Sequence, residues 1–223
     1  MAARLRSDLT GVVLAGGLGR RMGRDKTALR LREGEADFLS RAADVLSRVV
    51  LDVRVSCRAH QTERAARTGR PPLPDAEPGF EPGSTPGFAR PGGVLGAVRT
   101  CLRRLERPCL IIPCDMPFLT EAALLTLLAA RDAGLAEGRG LGVTLYRRAD
   151  SGRLEPTVAV YEPAALPYLD EAAARGDGSL FRALPPERRI CVDYGEREAR
   201  IFANINTPAD LEAAALTWGG ESA

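Results

Sequence analysis

The sequence of 223 residues contains a single lysine, Lys26, although lysine and arginine together number 31. It also contains a single histidine, His60, so a catalytic triad would have to use that residue. A lone histidine in a polar segment is more typical of an exposed side chain. The five cysteines are odd in number and include no C-x-x-C pair, which argues against a disulfide framework or a zinc site. Reduced thiols in a cytoplasmic protein are the simplest account of them.

Long apolar runs and a strong net charge are absent as well. No stretch approaches the length of a membrane span, and residues 1–10 lack the apolar core of a signal peptide. The net charge of +2 is too small to indicate nucleic-acid binding by bulk electrostatics. With 45% hydrophobic and 27% charged residues, the composition is that of a globular domain. We therefore expect a cytoplasmic protein that binds neither nucleic acid nor a membrane.

The lone lysine lies in a glycine-rich, basic loop. Residues 9–14 (LTGVVL) form a short, β-branched apolar run typical of a buried strand. Glycines follow at positions 16, 17, 19 and 23, and successive backbone N–H groups in such a loop create an anion-binding concavity. Up to four positive charges accompany them, from Arg20, Arg21, Arg24 and Lys26. The combination predicts a site for a polyphosphate.

Lysine and arginine are not equivalent in such a site. Lysine presents a compact point charge, whereas arginine presents a planar fork, so a contact with one phosphate oxygen favours lysine. The alternative is chance, since one lysine must fall somewhere. Two common phosphate motifs do not fit: Gly23 and Lys26 are not adjacent as a P-loop requires, and Gly17, Gly19 and Gly23 are one residue too widely spaced for a dinucleotide fingerprint.

Apolar patterns along the chain alternate between strand and helix periods. The pattern predicts strands at 9–14, 53–55, 110–112, 141–145, 157–161 and 190–192, and helices at 38–50, 97–105, 120–130, 164–174, 179–184 and 208–216. This alternation is typical of one α/β domain over 1–223 with a mainly parallel sheet. We expect tails at 1–8 and 217–223, and a long Pro/Gly-rich loop at 69–93 of the kind that serves an active site.

A second candidate site feature is Asp115, which directly follows the apolar strand at 110–112 and is bracketed by prolines. Ligands of open α/β sheets bind at the carboxyl ends of the strands, so Asp115 and the glycine loop should share one crevice. A carboxylate there can hold Mg²⁺ against phosphates. The alternative is that Asp115 forms an Asx turn. Its neighbour Cys114 is expected to be a buried side chain rather than a nucleophile.

The segment from Leu14 to Lys26 closely resembles the signature L-A-G-G-x-x-x-R-M-G-x-x-K of nucleotidyltransferases. Within that superfamily the chain is most similar to the molybdenum cofactor guanylyltransferases. Similar segments continue along nearly the full length: PGGVLG at 91–96, PCDMP at 113–117, EPT at 155–157 and FANINTP at 202–208. The resemblance implies a single-domain, three-layer, Rossmann-like nucleotidyltransferase fold.

The resemblance also implies roles for particular residues. Those implied to bind the nucleotide are Leu14, Ala15, Gly16, Gly17, Arg20, Lys26, Asp75 and Asp115. Those implied to bind the acceptor are Gly92, Gly96, Asn204 and Asn206, although both asparagines could instead make local turn and cap hydrogen bonds. Arg21, Lys26 and Asp115 are the implied catalytic residues, with Asp115 as the ligand of Mg²⁺. The chain departs from some members at Cys57, where they carry a base-contacting asparagine, and in lacking an arginine pair before position 180.

The function implied is transfer of GMP from GTP to the terminal phosphate of molybdopterin, with release of pyrophosphate. GTP and molybdopterin would be the substrates, and molybdenum-insertion proteins or molybdoenzyme chaperones are candidate protein partners. One alternative is a nucleotidyltransferase with another base or acceptor, cytidylyl or sugar phosphate. Another is a non-catalytic nucleotide-binding module, which the presence of both Lys26 and Asp115 disfavours. The residues alone identify neither the base nor the acceptor.

Overall fold

The computed structural model describes residues 4–17, 22–75, 93–139 and 142–218. Within them, one sheet contains seven strands in the order β3-β2-β1-β4-β6-β5-β7. The strands are β1 (Arg6–Leu14), β2 (Val50–Cys57), β3 (Pro72–Pro74), β4 (Cys109–Pro113), β5 (Val143–Arg148), β6 (Leu154–Tyr161) and β7 (Arg189–Tyr194). Neighbouring strands pair in parallel except at β6, which runs antiparallel to β4 and β5. The expected mainly parallel sheet is confirmed.

Helices cover both faces of this sheet. They are α1 (Phe38–Ser47), α2 (Thr62–Ala66), α3 (Gly93–Leu105), α4 (Glu121–Ala136), α5 (Leu166–Ala174), α6 (Leu180–Ala183) and α7 (Pro208–Thr217). Successive residues of a strand point to opposite faces, and this alternation divides the core. Val13 of β1 packs in the cluster that includes residues of α1 and α4, whereas Val12 packs in the cluster that includes residues of α3 and α5. The three-layer α/β architecture is therefore confirmed.

Two predicted helix caps have the expected geometry. The Thr120 side chain accepts a hydrogen bond from the Ala123 N–H at the start of α4, and the Thr207 side chain accepts one from the Asp210 N–H at the start of α7. Threonine is favoured at such positions because its oxygen satisfies an N–H that has no partner inside the helix. In the described part of the chain, no helix has the length and apolarity needed to cross a membrane.

Several element boundaries differ from the predictions. β1 begins at Arg6, inside the expected tail 1–8, and the Arg6 N–H donates to the Val49 carbonyl. α1 ends at Ser47 because Val50 starts β2, although both valines at 49 and 50 continue the helical period. β3 lies inside the expected loop 69–93, of which residues 76–92 are outside the described part. α3 and α4 are each longer than predicted, and α7 extends one residue into the expected tail.

Candidate active site

The functional residues predicted from the sequence gather at one edge of the sheet. β1, β2, β3 and β4 are parallel, so the segments that follow Leu14, Cys57, Pro74 and Pro113 leave the sheet at the same side. The antiparallel β6 begins at this edge, where Glu155 lies. The glycine loop, Asp75 and Asp115 are consequently neighbours in space, as the strand-end rule predicts.

At the centre of this edge, Lys26 joins the glycine loop to Asp115. The Lys26 Nζ lies 3.3 Å from Asp115 Oδ2 and donates to Asn206 Oδ1 at 2.6 Å. The side chains of Lys26 and Asp115 are 17% and 20% exposed, so the pair is sheltered but reachable by a ligand. An ammonium group has three donors, and these contacts occupy two of them. Among the described residues no acceptor takes the third, which an anion could therefore use.

Backbone contacts place these three side chains together. The Ile205 N–H donates to the Asp115 carbonyl at 2.9 Å, which attaches the segment before α7 to the end of β4. Asn206 then precedes the N-cap of α7, where the Asp210 carboxylate accepts from the Asn206 and Thr207 N–H groups. These hydrogen bonds hold the pKa of Asp210 below its usual value. The capped helix therefore fixes the position from which Asn206 reaches Lys26.

Lys26 itself begins a short 3-10 turn, Lys26–Ala28, that Asp25 caps. The Asp25 carboxylate accepts from the Thr27 N–H and hydroxyl at 3.0 and 2.8 Å. Burial alone would raise the pKa of Asp25, but the Thr27 hydrogen bonds and the charges of Arg64 and Arg67 outweigh it and lower the pKa. Asp25 is therefore a charged cap, and its occupied oxygens make it a structural residue of the loop.

Asp75 follows β3 and faces the start of the glycine loop. Its Oδ1 accepts from the Ser56 hydroxyl at 2.7 Å, and a methyl group added to Gly16 would lie 3.0 Å from its Oδ2. A side chain at Gly16 would therefore be tight against this carboxylate, which would have to shift by a few tenths of an ångström. Burial raises the pKa of Asp75, an effect that the Ser56 hydrogen bond partly offsets.

A polar cavity of about 420 Å³ opens beside Asn206. The residues that line it include Arg148, Arg153, Glu155, Asn204 and Asn206. Glu155 is buried, and its Oε1 accepts from the Tyr194 hydroxyl at 2.8 Å and lies 3.3 Å from Arg153 Nε. Burial and the contact with Glu155 raise the pKa of Tyr194, so this phenol stays protonated as a donor.

The other predicted site residues are more peripheral or cannot be placed. Leu14 ends β1, and Ala15 follows the strand and leads towards Gly17, which is exposed. Gly96 lies in the first turn of α3, and its carbonyl accepts from the Thr100 hydroxyl within the same helix. Arg20, Arg21 and Gly92 lie outside the described residues.

The cysteines near the site lack the features of a nucleophile. Cys114 is buried beside Asp115, and burial raises the pKa of its thiol to about 12. Cys57, at the end of β2, is fully buried as well, and burial raises its pKa. His60 is exposed, as expected. Among the described residues, no three His, Cys, Asp or Glu side chains come close enough to form a metal centre by themselves.

Two arginines contact the glycine loop without any signal in the sequence pattern. Arg58 donates to the Gly16 carbonyl, and Arg64 donates to the carbonyls of Ala15 and Gly17. Arg153 and Tyr194, which line the cavity, are likewise not predicted from the sequence. A backbone carbonyl can bind any donor, so nothing in the spacing marked these arginines among the thirty that the chain contains.

Comparisons with known proteins identify the family of the chain. The family described as the MobA-like NTP transferase domain matches residues 11–189. A probable molybdenum cofactor guanylyltransferase from Chloroflexus aggregans is 31% identical over 216 residues, which cover 92% of this chain and 92% of that protein. Another, from Rhodopirellula baltica, is 29% identical over 206 residues and covers 91% and 90%.

Solved structures share the fold. Molybdopterin-guanine dinucleotide biosynthesis protein A from Archaeoglobus fulgidus has a TM-score of 0.70 at 24% identity, covering 95% of this chain and 100% of that one. A synthetase of CMP:2-keto-3-deoxy-manno-octonic acid, complexed with CTP, has a TM-score of 0.70 at 12% identity, covering 97% and 100%. The chain therefore belongs to the MobA-like NTP transferase family and is a nucleotidyltransferase of the molybdenum cofactor guanylyltransferase group.

Proposed function

We propose that this enzyme transfers GMP from GTP to the terminal phosphate of molybdopterin, forming molybdopterin guanine dinucleotide and pyrophosphate. The observation that carries the proposal is the meeting of Lys26, Asp115 and Asn206. The lysine extends from the glycine loop, the carboxylate follows β4, and Asn206 lines the polar cavity. A cationic nucleotide site and a cavity for the acceptor thus share one wall.

In the proposed step, an oxygen of the acceptor phosphate attacks the α-phosphorus of GTP. A new P–O bond forms, the bond from the α-phosphorus to the β-phosphate oxygen breaks, and its electron pair leaves with pyrophosphate. The attacking oxygen is already anionic, so no strong general base is required. Catalysis then consists of positioning and charge stabilisation, which the loop amides and Lys26 supply.

The residues present fit a magnesium ion held jointly with the nucleotide. Asp115 is partly exposed, and in the described part of the chain its Oδ1 accepts no hydrogen bond. Among the described residues no three His, Cys, Asp or Glu side chains form a metal cluster, so the remaining ligands would be phosphate oxygens and water, which is the usual environment of Mg²⁺. When bound, Mg²⁺ neutralises negative charge on the triphosphate. Asp115 is the residue that would hold it.

The cavity beside Asn206 is our candidate for the acceptor site. Arg153 is 61% exposed on the side chain, and its contact with Glu155 is a single 3.3 Å approach of Nε. The terminal nitrogens of its guanidinium therefore stay available to a phosphate, whose geometry they match. Arg148 is less available, because it is engaged by Asp150 and Glu196.

Substitution of Arg153 by glutamine should raise the KM for molybdopterin about tenfold. This is the loss of affinity expected when one charge-assisted hydrogen bond is removed at a partly exposed site. The dissociation constant for GTP should not change, since Arg153 lies on the acceptor side. Steady-state kinetics with varied acceptor and calorimetric titration with GTP measure the two quantities. Arg147→Gln is the matched control, because Arg147 pairs with Asp193 and does not line the cavity. Equal KM values in both variants would remove Arg153 from the acceptor site.

GTP should be the productive nucleotide, in preference to ATP, CTP and UTP. This expectation rests on the names of the relatives, since no base-reading side chain is identified. Calorimetric titration with each nucleotide and Mg²⁺, followed by turnover with molybdopterin, tests it. Tighter binding and faster turnover with CTP would indicate a cytidylyltransferase. Binding of a nucleotide without turnover on any acceptor would indicate a non-catalytic module.

A further inference from the structure

The carbonyl groups at the start of the glycine loop are all held by arginines. Arg64 Nη1 donates to the Ala15 carbonyl at 2.5 Å and to the Gly17 carbonyl at 3.2 Å. Arg58 Nε donates to the carbonyl between them, that of Gly16, at 3.0 Å. Three successive carbonyls are thereby directed towards the segment that follows β2.

Because the peptide bond is planar, the direction of each carbonyl also determines the direction of the next residue's N–H. In a trans peptide, the carbonyl of one residue and the N–H of the next point in opposite directions. The Ala15 and Gly16 carbonyls face Arg64 and Arg58, so the N–H groups of Gly16 and Gly17 face away from these arginines. No group in the described part of the chain accepts a hydrogen bond from either N–H. Successive N–H groups without an acceptor in the protein are the donors of an anion-binding concavity.

Arg64 also connects the two ends of the loop. Its Nη2 lies 3.1 Å from Asp25 Oδ1 and its Nε donates to Asp25 Oδ2 at 3.2 Å. Asp25 caps the turn that begins with Lys26, so one guanidinium fixes both the amides of the first part of the loop and the turn that carries the lysine. Arg64 therefore restrains Ala15 and Gly17 together with the turn at Lys26, and such a restraint offsets the conformational freedom that glycine otherwise has.

Arg64 is bound by the protein on all sides and is placed as a structural residue, not as a direct ligand of phosphate. It lies in α2, whose next residue, Ala65, is fully buried, and its own side chain is 14% exposed. Every nitrogen of the guanidinium has a partner in Ala15, Gly17 or Asp25. Arg64 therefore has no terminal nitrogen without a protein partner to offer a phosphate.

We propose that Arg64, assisted by Arg58, is a positioning residue that directs the N–H groups of Gly16 and Gly17 at the β- and γ-phosphates of the bound nucleotide. The proposal rests on the proposed nucleotidyl transfer for the identity of the ligand, but not on which base the nucleotide carries. In this arrangement Arg58 and Arg64 do not contact the phosphates themselves. They bind the loop carbonyls, and the loop N–H groups bind the ligand.

Calorimetric titration of Arg64→Met, Arg64→Lys and wild type with GTP and with GMP, each with Mg²⁺, tests the proposal. Methionine preserves much of the buried stem but donates no hydrogen bond. We expect Arg64→Met to weaken GTP binding at least about tenfold, the equivalent of one charge-assisted hydrogen bond, and to change GMP binding much less. Arg64→Lys should not restore GTP affinity, because one ammonium cannot span two carbonyls and both Asp25 oxygens.

Arg54→Met is the control, since Arg54 pairs with Asp52 on β2 and contacts no loop carbonyl. Unchanged GTP affinity in Arg64→Met, an equal loss for GTP and GMP, or full rescue by lysine would each overturn the proposal. If Arg64→Met does not fold, as judged by circular dichroism, Arg58→Met gives the same comparison through the Gly16 carbonyl alone. If wild type prefers another nucleotide, the guanylyl assignment fails, and the same triphosphate-to-monophosphate comparison with that nucleotide still decides the role of Arg64.

Discussion

Replacing Lys26 by arginine is expected to lower kcat/KM about a hundred- to a thousand-fold, nearly as much as replacing it by alanine. On a solvated surface the two cations are interchangeable, and such a substitution costs little. The expected loss is large because Lys26 is a sheltered point charge with two fixed partners, Asp115 Oδ2 at 3.3 Å and Asn206 Oδ1 at 2.6 Å.

The geometry of the cluster explains why arginine cannot substitute. The Nζ atom of Lys26 lies between the carboxylate of Asp115 and the amide oxygen of Asn206. Its third N–H is the donor that we propose for the ligand. A guanidinium is planar and wider, and its fork requires two aligned acceptors on one side. Asp115 and Asn206 belong to different segments that are joined through the Ile205 N–H, so neither can move aside independently.

Steady-state kinetics of Lys26→Arg, Lys26→Ala and wild type measure this effect. Arg139→Lys is the matched control for exchanging the two cations, because Arg139 forms an exposed pair with Glu137. Its activity should equal that of wild type. Near-full activity of Lys26→Arg would mean that the single lysine of the chain is an accident of composition.

The strand-end rule accounts for what could be predicted about the site. The glycine loop and Asp115 each follow a short apolar run, and parallel strands bring such positions to one edge without any knowledge of packing. A shared crevice for the loop and Asp115 is therefore anticipated by pattern alone, and the structure adds the contact of Lys26 with Asp115 across 89 positions. In the same way, Thr120 and Thr207 identify helix starts because capping depends on local sequence.

Other parts of the site depend on tertiary contacts that carry no residue signature. Asn206 reaches Lys26 because Ile205 donates to a backbone carbonyl, and Arg64 acts on carbonyls that every residue possesses. The antiparallel direction of β6 is not encoded in its apolar pattern either, and that direction brings Glu155 to the same edge as Asp115. At Val50 local periodicity favoured a helix, but pairing with Arg6 of β1 decided for a strand.

Asp115→Asn should lower kcat at saturating GTP and Mg²⁺ about a hundred- to a thousand-fold while leaving the fold intact. The change removes one negative charge at nearly constant volume. The fold should persist because the backbone carbonyl of Asp115 still accepts from the Ile205 N–H, and the side chain is 20% exposed. An amide oxygen is a much weaker ligand for Mg²⁺ than a carboxylate, so the gain in GTP affinity that Mg²⁺ provides should shrink.

Binding without the metal distinguishes this role from general damage to the site. Without Mg²⁺, the variant should bind GTP at least as tightly as wild type, since a negative charge has left the vicinity of the triphosphate and Lys26 has lost a competing partner. The measurement is calorimetric titration with GTP across a series of Mg²⁺ concentrations, with Asp193→Asn as control because Asp193 pairs with Arg147 on the surface. Unchanged turnover of Asp115→Asn at saturating Mg²⁺ would exclude Asp115 as the metal ligand. A loss of GTP affinity that is equal with and without Mg²⁺ would instead assign Asp115 to the positioning of Lys26.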